Sequence, residues 1–549
     1  MKDSFNIPSP RKSLIVNFAR LGDLLQTTPA LAGLKQENPD NYTTLVTSTS
    51  FGEVTRYLPG VDEVELVDLD WIIKSLSHDL TKFREIYQQV ENLIQKLKSK
   101  HFDFSANLSS MGASSILLKL INTPLIRGWI SDSEGFRVLN SRWSRLLSSM
   151  LSGNNRHLNS FNVVDYFRMM MEVKKVPRSL VIVNEKECLI KGEELLKSIG
   201  VNVTDSFIVV HTGVSQMKRS WRAQHFANFI KKFIAKTGWS VLLTGSGNEV
   251  LLTDVLSREV NSPNCINLGG RTELSSLIGL IARAKAVLTG DTGPLHISAA
   301  VKTPSVSLFV ASGWPYETGC YHEGQLVIRP VIACGPCSPN GTCSTLECHD
   351  FIDVDNLVEL FLAFLDKDQE SVRTISRQFF DCFVYQTKIG DDGFFDLEQL
   401  NDRYDPHTFL RYVYRKLILN DFENLGNLGT SMEFVDSSAK ELFDLACHGA
   451  RLTEELLKLL QTGSDNLIEL SDKIESVDEK IFQIANQSES VALLARLYLF
   501  EKESIVGEVE ELAQKTIENY KDLQNRIKKL NWLVQNFSSQ KCSLSVAQV

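Results

Sequence analysis

The chain has 549 residues, 43% of them hydrophobic and 23% charged, and its 58 basic and 67 acidic side chains give a net charge of −9. This length exceeds what one hydrophobic core supports, so two or three domains are expected. Ordinary hydrophobic content argues against a largely disordered chain, and the negative net charge argues against a protein that binds nucleic acid.

The N-terminus and the apolar runs bear on location. Residues 1–12 are polar, and the apolar run from Leu14 to Phe18 is only as long as a strand. No signal peptide is recognised, and no apolar run approaches the roughly 20 residues that span a bilayer. Most of the ten cysteines are isolated, as in a reducing compartment. We therefore expect a cytoplasmic protein with no transmembrane segment.

The N-terminal part opens with a strand, a turn and an apolar helix, the start of a doubly wound α/β domain. Residues 129–160 show no clear pattern. We assign residues 1–176 to one Rossmann-like domain, with strands at 13–18, 42–47, 63–68, 102–108 and 124–128 and helices at 24–37, 52–58, 71–99, 117–121 and 161–173.

From residue 177 strands again alternate with helices of about 10 to 15 residues, the pattern of a parallel sheet covered on both faces. We assign residues 177–368 to a second Rossmann-like domain, with strands at 207–211, 240–244, 265–268, 286–288 and 305–310 and helices at 190–199, 223–237, 250–259, 274–283 and 295–301.

The character changes after residue 356, where helical spacing dominates. We predict an all-helical extension over residues 369–549, which could mediate self-association or docking to a membrane or partner enzyme. Helices are predicted at 357–365, just before the extension, and within it at 407–419, 439–448, 453–461, 477–487, 491–501 and 509–532.

The stretch Thr289-Gly290-Asp291-Thr292-Gly293-Pro294 lies between an apolar strand and a small-residue helix. Glycine backbone allows close approach of a ligand, and a helix N-terminus favours a phosphate. The alternative is an ordinary tight turn with a cap. Two other glycine-bearing loops, at 212–213 and 245–247, fall at the same sheet edge, which favours the phosphate site.

Several segments together resemble glycosyltransferase family 9, the ADP-heptose heptosyltransferases of lipopolysaccharide core synthesis. They are SLIVNFARLGDLLQTTPALAGL, HTGVSQMKRSWRAQHFANFI, LLTGSGNE, NLGGRTELSSLIGLIARAKAVLTGDTGPLHISAAVKTPSVSLF and a downstream Cys-x-x-Cys, in the correct order over roughly residues 13–360. The resemblance implies the GT-B fold, α/β in class, in which two doubly wound domains face each other across a cleft. It implies that the first domain binds mainly the acceptor and the second the nucleotide sugar.

The resemblance also implies a function. It is transfer of a sugar, expected to be heptose from ADP-heptose, to a hydroxyl of lipopolysaccharide core or a related envelope glycan at the inner-membrane surface. The sugar inverts at its anomeric carbon, and no catalytic metal or other cofactor is required. Alternatives left open are a protein glycosyltransferase of autotransporter or flagellin type, a sugar-nucleotide epimerase or hydrolase, and a non-catalytic binding protein.

Displacement at an anomeric carbon needs a base near the acceptor hydroxyl, and Asp23 stands at the first strand-to-helix turn. The alternative is that Asp23 is an N-cap, because its spacing to Gln26 is that of a capping box. The resemblance assigns the base role to Asp23. Arg20 and Gly22 would shape this turn, and Arg20 could hold a phosphate.

The leaving diphosphate needs fixed positive charge, which Lys218 and Arg219 could supply from the loop after strand 207–211. The family's usual spacing is Lys-x-Trp, whereas here the run is Lys218-Arg219-Ser220-Trp221. Sequence alone leaves open which of the two contacts phosphate, and a solvated charge pair is the alternative. Thr212, Gly213 and Ser215 could add contacts.

The remaining donor-binding predictions follow from the resemblance. Thr292 and Gly293 would complete the phosphate cradle, Asp291 would reach the sugar hydroxyls, and His296 would line the same wall or simply pack. Glu249, after Gly245, would bind the ribose, unless it is a first-turn glutamate favoured by the helix dipole. Leu268, Gly269 and Leu274 would border the adenine.

Four cysteines lie within fifteen residues, at 334, 337, 343 and 348. The thiolates of Cys334, Cys337, Cys343 and Cys348 could wrap a structural zinc or iron ion, with His349 or His322 replacing one ligand. The alternatives are structural thiols or a local disulfide. A metal here would brace the second domain and would not take part in the reaction.

Overall fold

The computed structural model describes residues 12–546 except 79, 153–154, 214–215, 339–340 and 463–465. The chain forms two compact units, one from Met1–Ile126 and Phe161–Tyr404, the other from Arg127–Ser160 and Asp405–Val549. Each unit is therefore built from two stretches that are separated in sequence.

The elements in the described residues are the following. The strands in chain order are β1 (Lys12–Val16), β2 (Tyr42–Ser48), β3 (Glu63–Val67), β4 (Phe104–Asn107), β5 (Leu125–Ser131), β6 (Arg137–Leu139), β7 (Phe207–His211), β8 (Ser240–Thr244), β9 (Cys265–Asn267), β10 (Val287–Gly290), β11 (Ser305–Leu308), β12 (Leu326–Pro330), β13 (Cys382–Ile389) and β14 (Phe395–Gln399). The α-helices are α1 (Leu21–Gln26), α2 (Thr28–Glu37), α3 (Leu69–His78), α4 (Phe83–Lys98), α5 (Gly112–Ile121), α6 (Arg142–Leu151), α7 (Val163–Met170), α8 (Glu185–Ser198), α9 (Ala223–Thr237), α10 (Val250–Val260), α11 (Leu274–Arg283), α12 (Gly293–Val301), α13 (Pro315–Thr318), α14 (Val354–Leu365), α15 (Gln369–Ser376), α16 (Thr408–Glu423), α17 (Ser437–Thr462), α18 (Leu467–Gln487), α19 (Ala492–Glu503) and α20 (Val509–Val546). Short 3-10 helices lie at Thr49–Tyr57, Leu80–Lys82, Asn155–Leu158, Met217–Arg219, Gly247–Glu249 and Glu347–His349.

The first sheet of the larger unit runs in the order β3-β2-β1-β4 and continues into β5. The pairs β1–β2, β1–β4 and β2–β3 are parallel. β1 is buried except at its first residue, because helices cover both faces of a central parallel strand. Its carboxyl end leads directly to the turn at 17–20 and helix α1, where the predicted acceptor-side residues lie.

The second sheet has the order β14-β13-β12-β11-β10-β7-β8-β9. All pairs of neighbours among the six strands β7 to β12 are parallel. Aromatic rings of α9 and α14 fill part of its core, with Phe229 and Phe233 edge-on to Phe361 at centroid distances of 5.4 and 5.7 Å. The predicted glycine-bearing loops follow β7, β8 and β10, so they share the carboxyl edge of this sheet.

Several predicted boundaries shift. The first helix begins at Leu21 rather than 24 and is interrupted at Thr27, where Pro29 opens α2. The helices predicted at 439–448 and 453–461 are one helix, α17. Residues 129–160, which showed no pattern, contain β6, α6 and a 3-10 helix.

The prediction of an all-helical extension from residue 369 is wrong for residues 382–399. β13 pairs antiparallel with β12, and β14 pairs antiparallel with β13, so this hairpin extends the second sheet. Its turn contains Gly393 at φ 79°, a conformation that glycine adopts easily. The buried Asp165 of α7 accepts hydrogen bonds from the Phe395 amide and the Tyr321 hydroxyl, both at 3.0 Å. The helical prediction holds beyond residue 404.

The second unit is mainly helical. In it the Trp143 indole donates to Glu423 at 2.8 Å, which joins α6 to α16. Arg526, 3% exposed at its side chain, pairs with Asp421 at 2.8 Å and with Glu501 at 2.5 Å, and so links α20 to α16 and α19. A buried arginine with two carboxylates is compensated in charge and hydrogen bonding. Among the described residues, no helix has both the length and the apolar content to cross a membrane.

Candidate functional site

Two strand-to-helix turns of the larger unit meet, one before α1 and one before α12. A methyl group built on Gly22 would lie 2.7 Å from Cδ2 of His296, and one built on Gly293 would lie 2.8 Å from Cδ2 of Leu21. Real Cβ atoms do not approach other atoms so closely, so each glycine makes room for a side chain at the start of the opposite helix. The predicted acceptor-side turn and the predicted phosphate-binding turn are therefore in contact.

Asp23 lies in this region, in the first turn of α1. The N-cap is Arg20, not Asp23. The Asp23 carboxylate instead accepts the Arg20 backbone N–H at 3.2 Å, which is one half of a capping box. Burial raises the pKa of Asp23, and the nearby Asp291 charge raises it further, while the Arg20 N–H and the charges of Arg20 and Arg219 lower it. A carboxylate with a raised pKa accepts a proton more readily than an ordinary aspartate.

Arg219 and Lys218, which the sequence left as alternatives, point to different places. The Arg219 guanidinium donates to the backbone oxygen of Asp291 at 3.0 Å and pairs with the Asp291 carboxylate. The Lys218 ammonium donates to the carbonyls of Ser338 at 2.9 Å and Gly341 at 2.6 Å, in the cysteine-rich loop. The structure brings Arg219, and not the Lys218 ammonium, together with Asp23 and Asp291.

His296 forms the buried side of the same group. Burial lowers the pKa of His296 to about 4, with the nearby Asp291 charge acting in the opposite direction and that of Arg219 in the same one. The imidazole is therefore neutral near pH 7. Its Nδ1 atom has no hydrogen-bond partner among the residues that the structure describes.

Glu249, the predicted ribose ligand, closes a capping box, because its carboxylate accepts the Ser246 backbone N–H at 2.6 Å. The carboxylate also lies against Gly213, where a methyl group would be 2.0 Å from Cδ of Glu249. A methyl group on Gly245 would be 3.1 Å from Cβ of Glu249. The loops after β7 and β8 therefore converge at Glu249, which serves as a capping glutamate in this structure.

The other predicted donor residues lie around this edge. The Thr292 hydroxyl is 2.9 Å from that of Thr289. The Thr212 carbonyl accepts the Ser220 hydroxyl at 2.8 Å, while the Thr212 hydroxyl has no partner within the described part of the chain. Leu268 is fully buried, so its side chain offers no surface to a base in this arrangement. Ser215 lies outside the described residues.

The four cysteines of the 334–348 loop are free thiols, so the structure does not contain the local disulfide that was one alternative. Burial raises the pKa values of Cys337 and Cys348, and the charges of neighbouring thiols in the group raise both further. Hydrogen bonds from the Leu346 and Thr345 backbone lower the pKa of Cys343. The thiols form one electrostatic group, and a metal in it remains a prediction.

Sequence reasoning missed a clamp between the Arg219 loop and the segment after the cysteines. The Trp221 indole donates to the His349 carbonyl at 2.8 Å, and His349 Nε2 lies 2.9 Å from the Lys218 carbonyl. Arg222 pairs with Asp350 at 2.9 Å. The runs Lys-Arg-Ser-Trp-Arg and Cys-His-Asp carry complementary donors and acceptors, but their pairing depends on tertiary contact. The clamp fixes the backbone on which Arg219 is placed.

Comparison with known proteins identifies a family and several relatives that the chain resembles. Residues 90–346 match the family described as glycosyltransferase family 9 (heptosyltransferase). The chain is 23% identical over 307 residues to a putative glycosyltransferase of Haemophilus influenzae, covering 54% of this chain and 82% of that protein. It is 23% identical over 304 residues to lipopolysaccharide heptosyltransferase 3 of Escherichia coli K12, covering 53% and 80%. The crystal structure of a family 9 glycosyl transferase from Veillonella parvula aligns with a TM-score of 0.52 and 20% identity, covering 65% of this chain and 98% of that chain.

The two parallel-rich sheets and this structural match define the GT-B fold. Over residues 90–346 the chain is similar to the heptosyltransferases of glycosyltransferase family 9. The predicted resemblance to this family and the predicted fold are confirmed.

Proposed function

We propose that the protein transfers heptose from ADP-heptose to a hydroxyl of lipopolysaccharide core or a related envelope glycan, with inversion and without a catalytic metal. The observation that carries the proposal is the meeting of two helix starts that bring the Asp23 carboxylate close to Arg219 and Asp291. One side supplies a base, and the other supplies positive charge where a diphosphate would leave.

Asp23 takes the proton of the acceptor hydroxyl. The acceptor oxygen then forms a bond to the anomeric carbon from the face opposite the diphosphate, and the bond between that carbon and the phosphate oxygen breaks. The electron pair leaves with the nucleoside diphosphate, so the configuration at the anomeric carbon inverts. The raised pKa of Asp23 suits this step, because a more basic carboxylate accepts the proton at less cost.

Arg219 meets the growing charge on the diphosphate, together with the N-terminus of α12. Arg219 is paired with Asp291 in this structure. The donor diphosphate would replace the Asp291 carboxylate as the partner of the Arg219 guanidinium. Asp291 could then accept hydrogen bonds from the sugar hydroxyls. Arg219 is thus the phosphate ligand of the two candidate cations, and Lys218 acts as a brace for its loop.

The sugar and the acceptor rest on similarity. The family name is heptosyltransferase, and the relative from Escherichia coli is a lipopolysaccharide heptosyltransferase. A reaction without acceptor distinguishes transfer from hydrolysis. A transferase releases nucleoside diphosphate only when an acceptor hydroxyl is present, whereas a hydrolase releases it with water alone.

The test incubates the purified chain with ADP-heptose and lipopolysaccharide core lacking its outer heptose. We expect ADP release and an acceptor mass gain of one heptose, with inverted configuration by NMR and no dependence on added Mg²⁺ or Mn²⁺. UDP- and GDP-sugars are the donor controls. ADP release without acceptor would indicate a hydrolase, and turnover of another donor only would reject heptose transfer.

A further inference from the structure

The second unit brings together three side chains that have no place in the proposed reaction. His157 lies in the 3-10 helix Asn155–Leu158, His407 precedes α16, and Glu489 lies between α18 and α19. One ligand atom from each of the three lies within 4.8 Å of the other two. Two imidazoles and a carboxylate from three separate segments are a donor set of the kind that binds a divalent transition metal.

The distances within the group suit a small coordination sphere. His407 Nδ1 lies 3.1 Å from Oε1 of Glu489, close to the roughly 3.3 Å edge of a tetrahedron with bonds of about 2.0–2.1 Å. The rings of His157 and His407 have centroids 4.0 Å apart and are tilted by 48°. Both histidines are half-buried, and Glu489 is exposed, which leaves an approach from solvent.

One buried ion pair holds the backbone of both histidines. Arg411 pairs with Asp405 at 2.9 Å, with side-chain exposures of only 4% and 5%. Arg411 Nε also donates to the His157 carbonyl at 3.0 Å. The Asp405 carboxylate also accepts the His407 amide at 2.9 Å. Outer contacts of this kind set the positions of metal ligands before the metal binds.

We propose that His157, His407 and Glu489 form a binding site for a divalent transition metal, with Zn²⁺ as the ion that fits best. Two neutral imidazoles and one carboxylate leave a net charge of +1 on the complex and one tetrahedral position for water. Because His157 belongs to the stretch 127–160 and the other ligands to 405–549, the ion links the two stretches of this unit. The alternative is a simple imidazole–carboxylate contact beside a tilted histidine pair.

The site is separate from the cysteine group in chemistry and in chain position. It contains no sulfur ligand, whereas the 334–348 loop offers thiolates and belongs to the other unit. Cobalt distinguishes them, because thiolate ligands give strong sulfur-to-cobalt charge-transfer absorption and an N,N,O site does not.

The test uses the full chain, stripped with a chelator and dialysed against Zn²⁺, with bound metal counted by mass spectrometry. We expect His407→Gln and Glu489→Gln each to lose one equivalent relative to the parent. His448→Gln is the matched control, since His448 is an exposed histidine of α17 in the same unit. With Co²⁺, the parent-minus-variant spectrum should show ligand-field bands without thiolate charge transfer.

Equal stoichiometry in the parent and both variants would overturn the site, as would a cobalt difference spectrum with thiolate bands. Should His407→Gln fail to fold, the exposed Glu489→Gln variant still decides. In the parent, Zn²⁺ is expected to raise the melting temperature, and Glu489→Gln should reduce this rise whereas His448→Gln should not. An identical rise in both variants would also count against the proposal.

Discussion

The turn before α1 and the turn before α12 are similar in position but carry carboxylates in different surroundings. Each turn follows a buried parallel strand, and each presents an aspartate near the start of its helix. Asp23 accepts a backbone N–H, and its pKa is raised by burial. Asp291 is instead paired directly with the guanidinium of Arg219.

This difference suggests how one residue type serves two roles. A carboxylate whose loss of hydration outweighs the charge of nearby cations binds a proton more tightly, as a general base requires. A carboxylate with a cation beside it holds that cation in place until a stronger anion arrives. Substitutions at Asp23 and at Arg219 therefore test the two roles separately.

The largest expected effect comes from Asp23→Asn. Asparagine keeps the shape and can still accept the Arg20 N–H, but it cannot take a proton. We expect kcat to fall by about 10²–10⁴-fold, with the affinity for ADP nearly unchanged, measured by turnover and calorimetry. The exposed Asp40→Asn is the control. Parallel loss of turnover and donor affinity would indicate that Asp23 is mainly structural.

Replacing the two loop cations separately should give unequal effects. Arg219→Gln removes the charge near Asp291, and we expect ADP binding to weaken about 10- to 100-fold, since hydrogen bonds to charged groups contribute roughly 1.5–3 kcal/mol. Lys218→Gln should change affinity by less than about threefold, because its ammonium is bound to loop carbonyls. Titration calorimetry with ADP measures both.

Arg219→Lys is the intermediate control, because it keeps the charge and loses the two-point contact. A larger effect of Lys218→Gln than of Arg219→Gln would reverse the assignment of the phosphate ligand.

Contact between the turns can be tested with Gly22→Ala. The added methyl would lie 2.7 Å from the His296 ring, and overpacking of this kind costs about 1–3 kcal/mol of unfolding free energy. Gly112→Ala is the matched control at the first residue of α5, where a methyl would meet nothing within 4 Å. Urea unfolding measures the difference. Equal stability of the two variants would show that the turns do not pack closely in solution.

The smallest expected effect is on the melting temperature of the protein, through the burial of the Asp23 carboxylate. Its pKa is higher in the folded than in the unfolded chain, so the ionised carboxylate destabilises the fold at pH values above its folded pKa. That penalty decreases as the pH falls below the folded pKa and is gone below the unfolded pKa. Asp23→Asn should therefore raise the melting temperature at pH 7 by roughly 1–3 °C, with the gain vanishing toward acid pH. A lower melting temperature at pH 7 would mean that the capping contact outweighs burial.

The regular α/β part was predictable from sequence because its signals are local. The strands at 207–211 and 240–244 and the helices at 223–237 and 274–283 have the predicted bounds. Buried apolar runs, and glycines after strands, define such elements without knowledge of their neighbours.

The hairpin at 382–399 was missed although its signal was present. CFVYQTKI and FFDLEQ flank Gly-Asp-Asp-Gly, which is typical of a β-hairpin. The segments on both sides have helical spacing, and this favoured the prediction of helix for the whole region. Its place at the edge of the second sheet depends on β12 and on the buried Asp165, which no local pattern encodes.

The candidate site was predictable in its residues but not in its pairings. Asp23, Asp291 and Arg219 were each identified from a turn or a loop, whereas the pairing of Arg219 with Asp291 needed tertiary structure. The His157–His407–Glu489 group has no sequence signature at all, because more than 240 residues separate its first two members.

The split composition of the second unit has a consequence for how the chain is made. Residues 127–160 leave the ribosome before 405–549 exist, and the buried faces of Trp143 and Leu146 belong to this early segment. At roughly 5–20 residues per second, translation of the intervening stretch takes on the order of 10–50 seconds. During that interval the helices of residues 405–549, which complete this unit, have not yet been made. We therefore expect nascent chains stalled near residue 400 to recruit holdase chaperones.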